Sequence, residues 1–237
     1  MNGLYIAASG ASAQIQALSV SAVNLANADT PGYRRLEIAI DAVKGHGSPY
    51  EYATAETRRP QIDLRQGPLR ETGNPLDIAV AGDAFIRVRT PNGGEAYTRN
   101  GSLSIAPDGT LLAAEAEVLG RGGAPIKVPE GDIAIGGDGS VSSSGRIVGQ
   151  ISLADPAGAE ILPAGESLYR TADGTALPEA TEGANVVRNG YLERERGNAV
   201  IETVGIINAE RAYESSMKVI QAINGTIERA NQIYAIT

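Results

Sequence analysis

Apolar residues recur every three or four positions near the start of the chain: Leu4, Ala8, Ala11, Ile15, Leu18, Ala22 and Leu25. Spacings of four and three alternate, a period of 3.5, which predicts an α-helix with a seam for a partner helix. The far end repeats the pattern. Ile206, Tyr213, Ile220, Ile227 and Tyr234 stand seven apart, and Ala209, Ser216, Ile223, Ala230 and Thr237 follow each by three. A continuous helix over 202–237 would be about 54 Å long at about 1.5 Å per residue. Gly225 in its middle costs about 1 kcal/mol relative to alanine and predicts a soft point.

Between the two ends the period changes to two. "RRLEIAID" alternates, with Leu36, Ile38 and Ile40 on one face, and predicts a short half-buried strand. Residues 42–75 are polar and punctuated by Gly, Pro and Arg, and read as a linker or extended arm. From Pro75 to about 185 short apolar alternations are separated by turn signals, among them Asp-Gly at 108–109, 138–139 and 173–174. That spacing predicts a small β-sandwich or open barrel with hairpin turns. The pattern divides the chain into an N-terminal axial helix and turn (1–35), a strand and extended linker (36–75), a central β domain (76–190) and a C-terminal axial helix (191–237). The fold class is α+β: a discontinuous stalk of paired N- and C-terminal helices plus a central all-β domain.

Charge sharpens this picture. Residues 1–28 carry no charged side chain, so the polar face of the first helix is Ser, Gln and Asn. A solvated helix face normally carries Lys and Glu. An uncharged one suits a helix enclosed by protein, because burying an unpaired charge is costly. The segment closes with "NLANADTPGY". Thr30 precedes a proline and is pushed out of the helical region, and Pro31-Gly32 is a strong turn pair. Asn24, Asn27, Thr30, Pro31, Gly32 and Tyr33 are thus expected to end the helix and re-aim the chain. The asparagines would satisfy backbone groups left over at the helix end.

Net charge is −8, and residues 42–187 hold twelve basic and nineteen acidic side chains. An acidic centre without a Lys/Arg cluster argues against nucleic acid as a partner. Cysteine is absent and His46 is the one histidine, so thiolate chemistry and His/Cys zinc sites fall away. The Asp-Gly pairs lack the ligand spacing of a calcium loop. No cofactor and no metal site are expected. The N-terminus has no basic lead and its apolar residues are interrupted, which argues against a cleaved signal peptide and against direct membrane insertion. "ASA" at 11–13 is the one mimic of a cleavage site.

Four stretches resemble the flagellar rod and hook protein family, in order and across nearly the whole chain. They are "NLANADTPGY", "TGNPLDIAVAGDAFIRV" from Thr72, "YTRNGSLSIAPDGTL" from Tyr97, and the C-terminal region from Gly190 to Gln232. "DAFIRV" departs from a more Gly- and Phe-rich version, and "GNAV" at 197–200 stands where Ser-Asn-Val is usual. The match is most similar to members of the proximal rod, with distal-rod and hook-type members next. The resemblance implies a structural subunit of the basal-body rod, a periplasm-spanning helical tube that transmits torque. It implies export through the flagellar type III apparatus, copies of itself and neighbouring rod proteins as partners, and terminal helices that form the inner wall. It points to Leu4, Ala8, Ala11, Ile15, Leu18, Ala22, Leu25, Ile206, Tyr213, Ile220, Ile223, Ile227 and Tyr234 as an assembly seam.

Two other classes compete with this one. Carboxylate pairs such as Glu115 and Glu117, or Glu193 and Glu195, have the composition of a glycosidase site, but nothing in the sequence places them in a cleft. A secreted β-rich binding module would suit the centre of the chain, but it has no need of heptad helices at both ends.

Overall fold

The computed structural model describes residues 2–44, 53–156, 158–165, 167–181, 183 and 186–234, with the backbone alone at Asn2, Lys44, Ile233 and Tyr234. Among these, two compact units separate. Unit 1 holds residues 1–26, 36–61 and 197–237, and unit 2 holds 27–35 and 62–196. A central all-β region stands between an N-terminal and a C-terminal helix, an α+β fold.

Unit 1 is built on helix α1, Asn2–Ala26. The chain then forms strands β1 (Leu36–Glu37), β2 (Ile40–Lys44) and β3 (Ala53–Thr57). The strand expected over 34–41 is broken after Glu37, and Ile40 begins the next strand with its side chain exposed. The stretch read as a linker begins with regular structure. β2 and β3 pair antiparallel from Ile40↔Thr57 to Lys44↔Ala53. His46 and the rest of the connection between them lie outside the described residues. Helix α2, Ala199–Tyr234, completes the unit and runs unbroken through Gly225.

α2 begins at Ala199, before the 202 of the heptad reading and after the 191 of the domain division, where Tyr191–Glu193 form a strand instead, and its cap explains the start. Asn198 Oδ1 accepts a hydrogen bond from Val200 N at 2.9 Å, and Asn198 O accepts from Glu202 N at 3.1 Å. An asparagine placed there satisfies a helix-start amide that has no partner within the helix.

The longer segment of unit 2 starts at Ile62, the end of the short β4 (Gln61–Ile62), and continues with β5 (Leu69–Glu71), β6 (Ile78–Ala81), β7 (Phe85–Arg89) and β8 (Glu95–Thr98). β9 (Leu103–Ile105), β10 (Leu111–Ala113), β11 (Ala116–Val118), β12 (Ile133–Ile135), β13 (Ser140–Ser143) and β14 (Arg146–Gln150) follow. The set ends with β15 (Leu153–Ala154), β16 (Ile161–Gly165), β17 (Leu168–Thr171), β18 (Val186–Asn189) and β19 (Tyr191–Glu193). Eight of these strands make one sheet in the order β16-β17-β8-β7-β11-β10-β9, with β15 also on β7. Smaller sheets pair β12-β13-β14, β18-β6 and β19-β5.

The core of unit 2 is aliphatic, as the scarcity of aromatics requires. Ile78, Val80, Ile86, Val88, Leu111, Val118, Val141 and Ile151 are almost wholly buried in one cluster. A second cluster collects Phe85, Tyr97, Tyr169 and Leu177. The Phe85 and Tyr169 rings meet edge to face with centroids 5.6 Å apart. Each Asp-Gly pair is a turn, with Gly109, Gly139 and Gly174 all at positive φ. Glu115 does not lie on a strand with Glu117: it is a left-handed turn residue between β10 and β11, φ 61.

Candidate assembly surfaces

Helix α1 presents three faces. One meets β3: Ala55 N donates to Ser9 Oγ at 3.1 Å, and Thr57 Oγ1 donates to Gln16 Oε1 at 2.5 Å. Ala13 and Val20 are buried on this side. A second face meets α2 through small residues. A Cβ added at Gly3 would lie 3.4 Å from Ile223, and one added at Gly10 would lie 3.6 Å from Ser216 Oγ. A Cβ at Gly205 would lie 3.0 Å from Ser21 Oγ. The order 3–223, 10–216, 21–205 is antiparallel.

The third face is open. Tyr5, Ala8, Ser12, Ile15, Ser19, Ala22 and Ala26 are all exposed in unit 1, at spacings of three and four throughout. Tyr5 is 66% and Ile15 52% accessible. The predicted seam therefore falls at two depths. Leu4, Ala11, Leu18 and Leu25 are half-buried or buried, while Ala8, Ile15 and Ala22 face outward. The reason is geometric. Positions four apart on a helix differ by about 40° and positions three apart by about 60° in the other direction, and α2 covers only one flank.

On α2 the predicted positions Ile206, Tyr213, Ile220 and Ile223 are half-buried, and Ala209 between them is buried. Ile227 lies one turn past the Gly3 contact and is 46% exposed. Tyr234 ends the helix, and its side chain lies outside the described residues. At the start of α2, Val200, Ile201, Val204 and Ile207 are exposed and apolar.

The turn after α1 is held by named bonds. Asn24 is fully buried, and its carboxamide both donates to Leu36 O at 3.0 Å and accepts from Leu36 N at 2.9 Å. The side chain thus pairs with a backbone as a strand neighbour would. Within unit 2, Thr30 N donates to Asn27 O and Thr30 Oγ1 to Asn27 Oδ1. Tyr33 N donates to Thr30 O at 3.3 Å across Pro31-Gly32, with Gly32 at φ 67, the type II pattern.

Beneath this turn lies a buried charge cluster that sequence reasoning missed. Glu193 Oε1 pairs with Arg34 Nη1 at 2.9 Å and accepts from Gly67 N at 2.7 Å, while Oε2 takes Arg99 Nη1 at 3.3 Å. Arg99 also donates to Val80 O and Gly82 O, and its guanidinium lies 5.1 Å from the Phe85 ring centroid. Burial first, then the neighbouring Arg34 charge, lowers Arg99 to about 10, which leaves it protonated at neutral pH. Burial likewise raises the Tyr169 phenol. No local signal could have found these partners, because 94 residues separate Arg99 from Glu193 and 135 separate Arg34 from Tyr169.

Glu193, weighed above as half of a carboxylate pair, is thus neutralised by two arginines. No cluster of metal-ligating side chains occurs among the described residues, and none of their helices is long and apolar enough to cross a membrane.

Comparison with known proteins covers the same regions. "Flagella basal body rod protein" matches residues 4–34, "Flagellar hook protein FlgE/F/G D1 domain" matches 79–143, and "Flagellar basal body rod FlgEFG protein C-terminal" matches 188–233. The flagellar basal-body rod protein FlgF of Escherichia coli (strain K12) is 34% identical, over all of this chain and 99% of its own length. That of Rhizobium meliloti (strain 1021) is 30% identical over 96% of this chain and 95% of its own. The rod protein FlgG of Borreliella burgdorferi is also 30% identical, over 98% of each.

Proposed function

The chain belongs to the flagellar basal-body rod protein family and is a structural, FlgF-like subunit of the rod in the flagellar basal body; from that premise we propose that it polymerises through α1 and α2, which form a paired-helix stalk. Copies of itself and neighbouring rod proteins cover the faces each stalk leaves open. The product is a periplasm-spanning tube that carries torque, and the subunit reaches it through the flagellar type III export apparatus without a cleaved signal. No catalytic step is assigned.

The observation that carries this reading is the open face of α1. Seven exposed positions from Tyr5 to Ala26 repeat with the heptad spacing and include no charge. A 3.5-residue period on a solvent-facing helix has no use in an isolated subunit, whereas it presents one continuous edge to a neighbouring helix. Rod subunits that pack closely need faces that can be dried without stranding a charge.

Ile15→Asp tests it. The side chain is half exposed, so the variant should keep the thermal stability of unit 2 and still be made at normal levels. It should fail to enter isolated basal bodies, and a strain carrying it as the sole copy should not swim. Normal incorporation and motility would overturn the reading. Leu18→Asp and Ile220→Asp should block assembly as well, through the half-buried flank of the same helix pair.

A further inference from the structure

We propose that Arg34, Arg99, Tyr169 and Glu193 form an anchor that folds residues 27–35 as part of the β unit, so that the turn is set whether or not the terminal helices are ordered.

Three features of the turn converge on these side chains. Gly32 N donates to Glu193 O at 2.9 Å, and Arg34 N donates to the Tyr169 phenol oxygen at 2.7 Å. The same phenol donates to Gly32 O at 3.4 Å. Tyr169 Oη therefore receives from one residue of the turn and gives to another, and a buried hydroxyl that does both fixes the backbone between them. Arg34 in turn reaches back with its guanidinium to Arg65 O and to Glu193.

The fit is close enough to specify residues. A Cβ at Gly32 would sit 2.1 Å from Arg99 C and Asn100 N. The turn thus lies directly on the backbone that follows β8, and only glycine satisfies both that approach and the positive φ. The charges add a second condition. Arg34 and Arg99 are each 3% or less accessible, and both lean on one carboxylate. Two buried cations beside each other are tolerable only while Glu193 stands between them. The strand that supplies Glu193 thus holds the turn through a backbone carbonyl and a side chain at once.

The consequence is a division of labour within "NLANADTPGY". Asn24 serves unit 1, clamping Leu36. The residues from Asn27 onward serve unit 2 and act as positioning residues for the point where the chain leaves the β unit. Their role is intramolecular rather than a contact between subunits.

Residue-resolved hydrogen exchange on the purified full chain tests this without any assembly readout, so its outcome is separate from that of the rod-incorporation experiment. The amides of Gly32 and Arg34 should exchange within about tenfold of Leu111 and Val128, whose amides are bonded inside unit 2. They should be much slower than amides in the middle of α1. Tyr169→Phe removes one hydroxyl and keeps the ring against Phe85. It should speed Gly32 and Arg34 by about tenfold or more while leaving Leu111 and Val128 within about twofold. The proposal is overturned if Gly32 and Arg34 already exchange like α1. Acceleration of all four amides together in Tyr169→Phe would reduce the hydroxyl to a general core contact. No change at Gly32 and Arg34 would remove it from the anchor.

Discussion

Units 1 and 2 use the same alphabet of small aliphatic residues and reach opposite results. Among the described residues, the buried apolar side chains of unit 1 are Ala11, Ala13, Val20 and Ala209. All the others belong to unit 2. Exposure runs the other way. Of the large apolar side chains left exposed, only Ile105, Ile147 and Val186 belong to unit 2. Burial is worth about 25 cal/mol per Å² of apolar surface, so the β unit carries most of the folding free energy. Two helices that approach at glycine and serine and only half-bury their leucines and isoleucines gain less from each other, and what they leave open is what a neighbour can bury.

The largest effect that could break this contrast is a cavity in unit 2. Phe85→Ala removes the ring that lies against Tyr169 and under Arg99. It should cost about 3–5 kcal/mol, as truncation of a buried aromatic does, read as a lower urea midpoint for the β unit. Ile15→Ala, at an exposed apolar position of α1, should lower the stability of the β unit by no more than about 0.5 kcal/mol. Equal losses from the two would mean that the helices and the β unit fold as one, and the contrast would fail.

A smaller, local effect is expected at the junction. Asn24→Ala deletes both hydrogen bonds to Leu36, and leaves a donor and an acceptor without their partner. Each such bond contributes about 1 kcal/mol and more when a buried group is stranded. The Leu36 amide should therefore exchange about tenfold faster or more, while Arg34, two residues away but held in unit 2, keeps its protection. Loss of protection at both would place the clamp and the anchor in one cooperative element.

The contrast also explains what could be read in advance. Both helices and the end of α1 were legible because heptad spacing, Pro31 and Gly32 are local signals. Two hairpins of unit 2, β9–β10 and β12–β13, were legible from Asp-Gly for the same reason, whereas Asp173-Gly174 is a turn after β17 that does not join paired strands. β3 and the end of β2 from Ala42 read as linker because their outward residues are polar or sparsely apolar. Their partners are each other and, for β3, the face of α1 that carries Ser9 and Gln16, which no periodicity announces. The start of α2 carried a usable signal in Asn198 that the heptad count passed over. The charge cluster had none: Glu193 looks like any acidic residue in "YLERER" until the fold brings Arg34 and Arg99 to it.

The finest distinction between the units is electrostatic. Unit 2 alone contains the repeated turn Asp-Gly-Thr/Ser, and in each the carboxylate accepts from the residue two places on. Asp108 takes Thr110 N and Oγ1, Asp138 takes Ser140 N and Oγ, and Asp173 takes Thr175 N and Oγ1. The hydroxyl of Thr110 or Ser140 holds Asp108 and Asp138 below the ordinary aspartate value of 3.8, and the backbone amide of Thr175 does the same for Asp173. A carboxylate with a lower pKa in the folded state stabilises that state above its unfolded pKa. The contribution is lost as pH falls from there through the folded value. These groups are exposed, so water screens each contribution to a small one. Replacing all three by asparagine keeps an oxygen acceptor in each turn and removes the titration. Between pH 6 and pH 3 the urea midpoint of unit 2 should fall further in the wild-type chain than in the triple variant. Helix content should change alike in the two, since none of the three aspartates lies in α1 or α2. Identical acid losses at the unit 2 midpoint would show that the turns are held by their backbone geometry alone and that the charges add nothing.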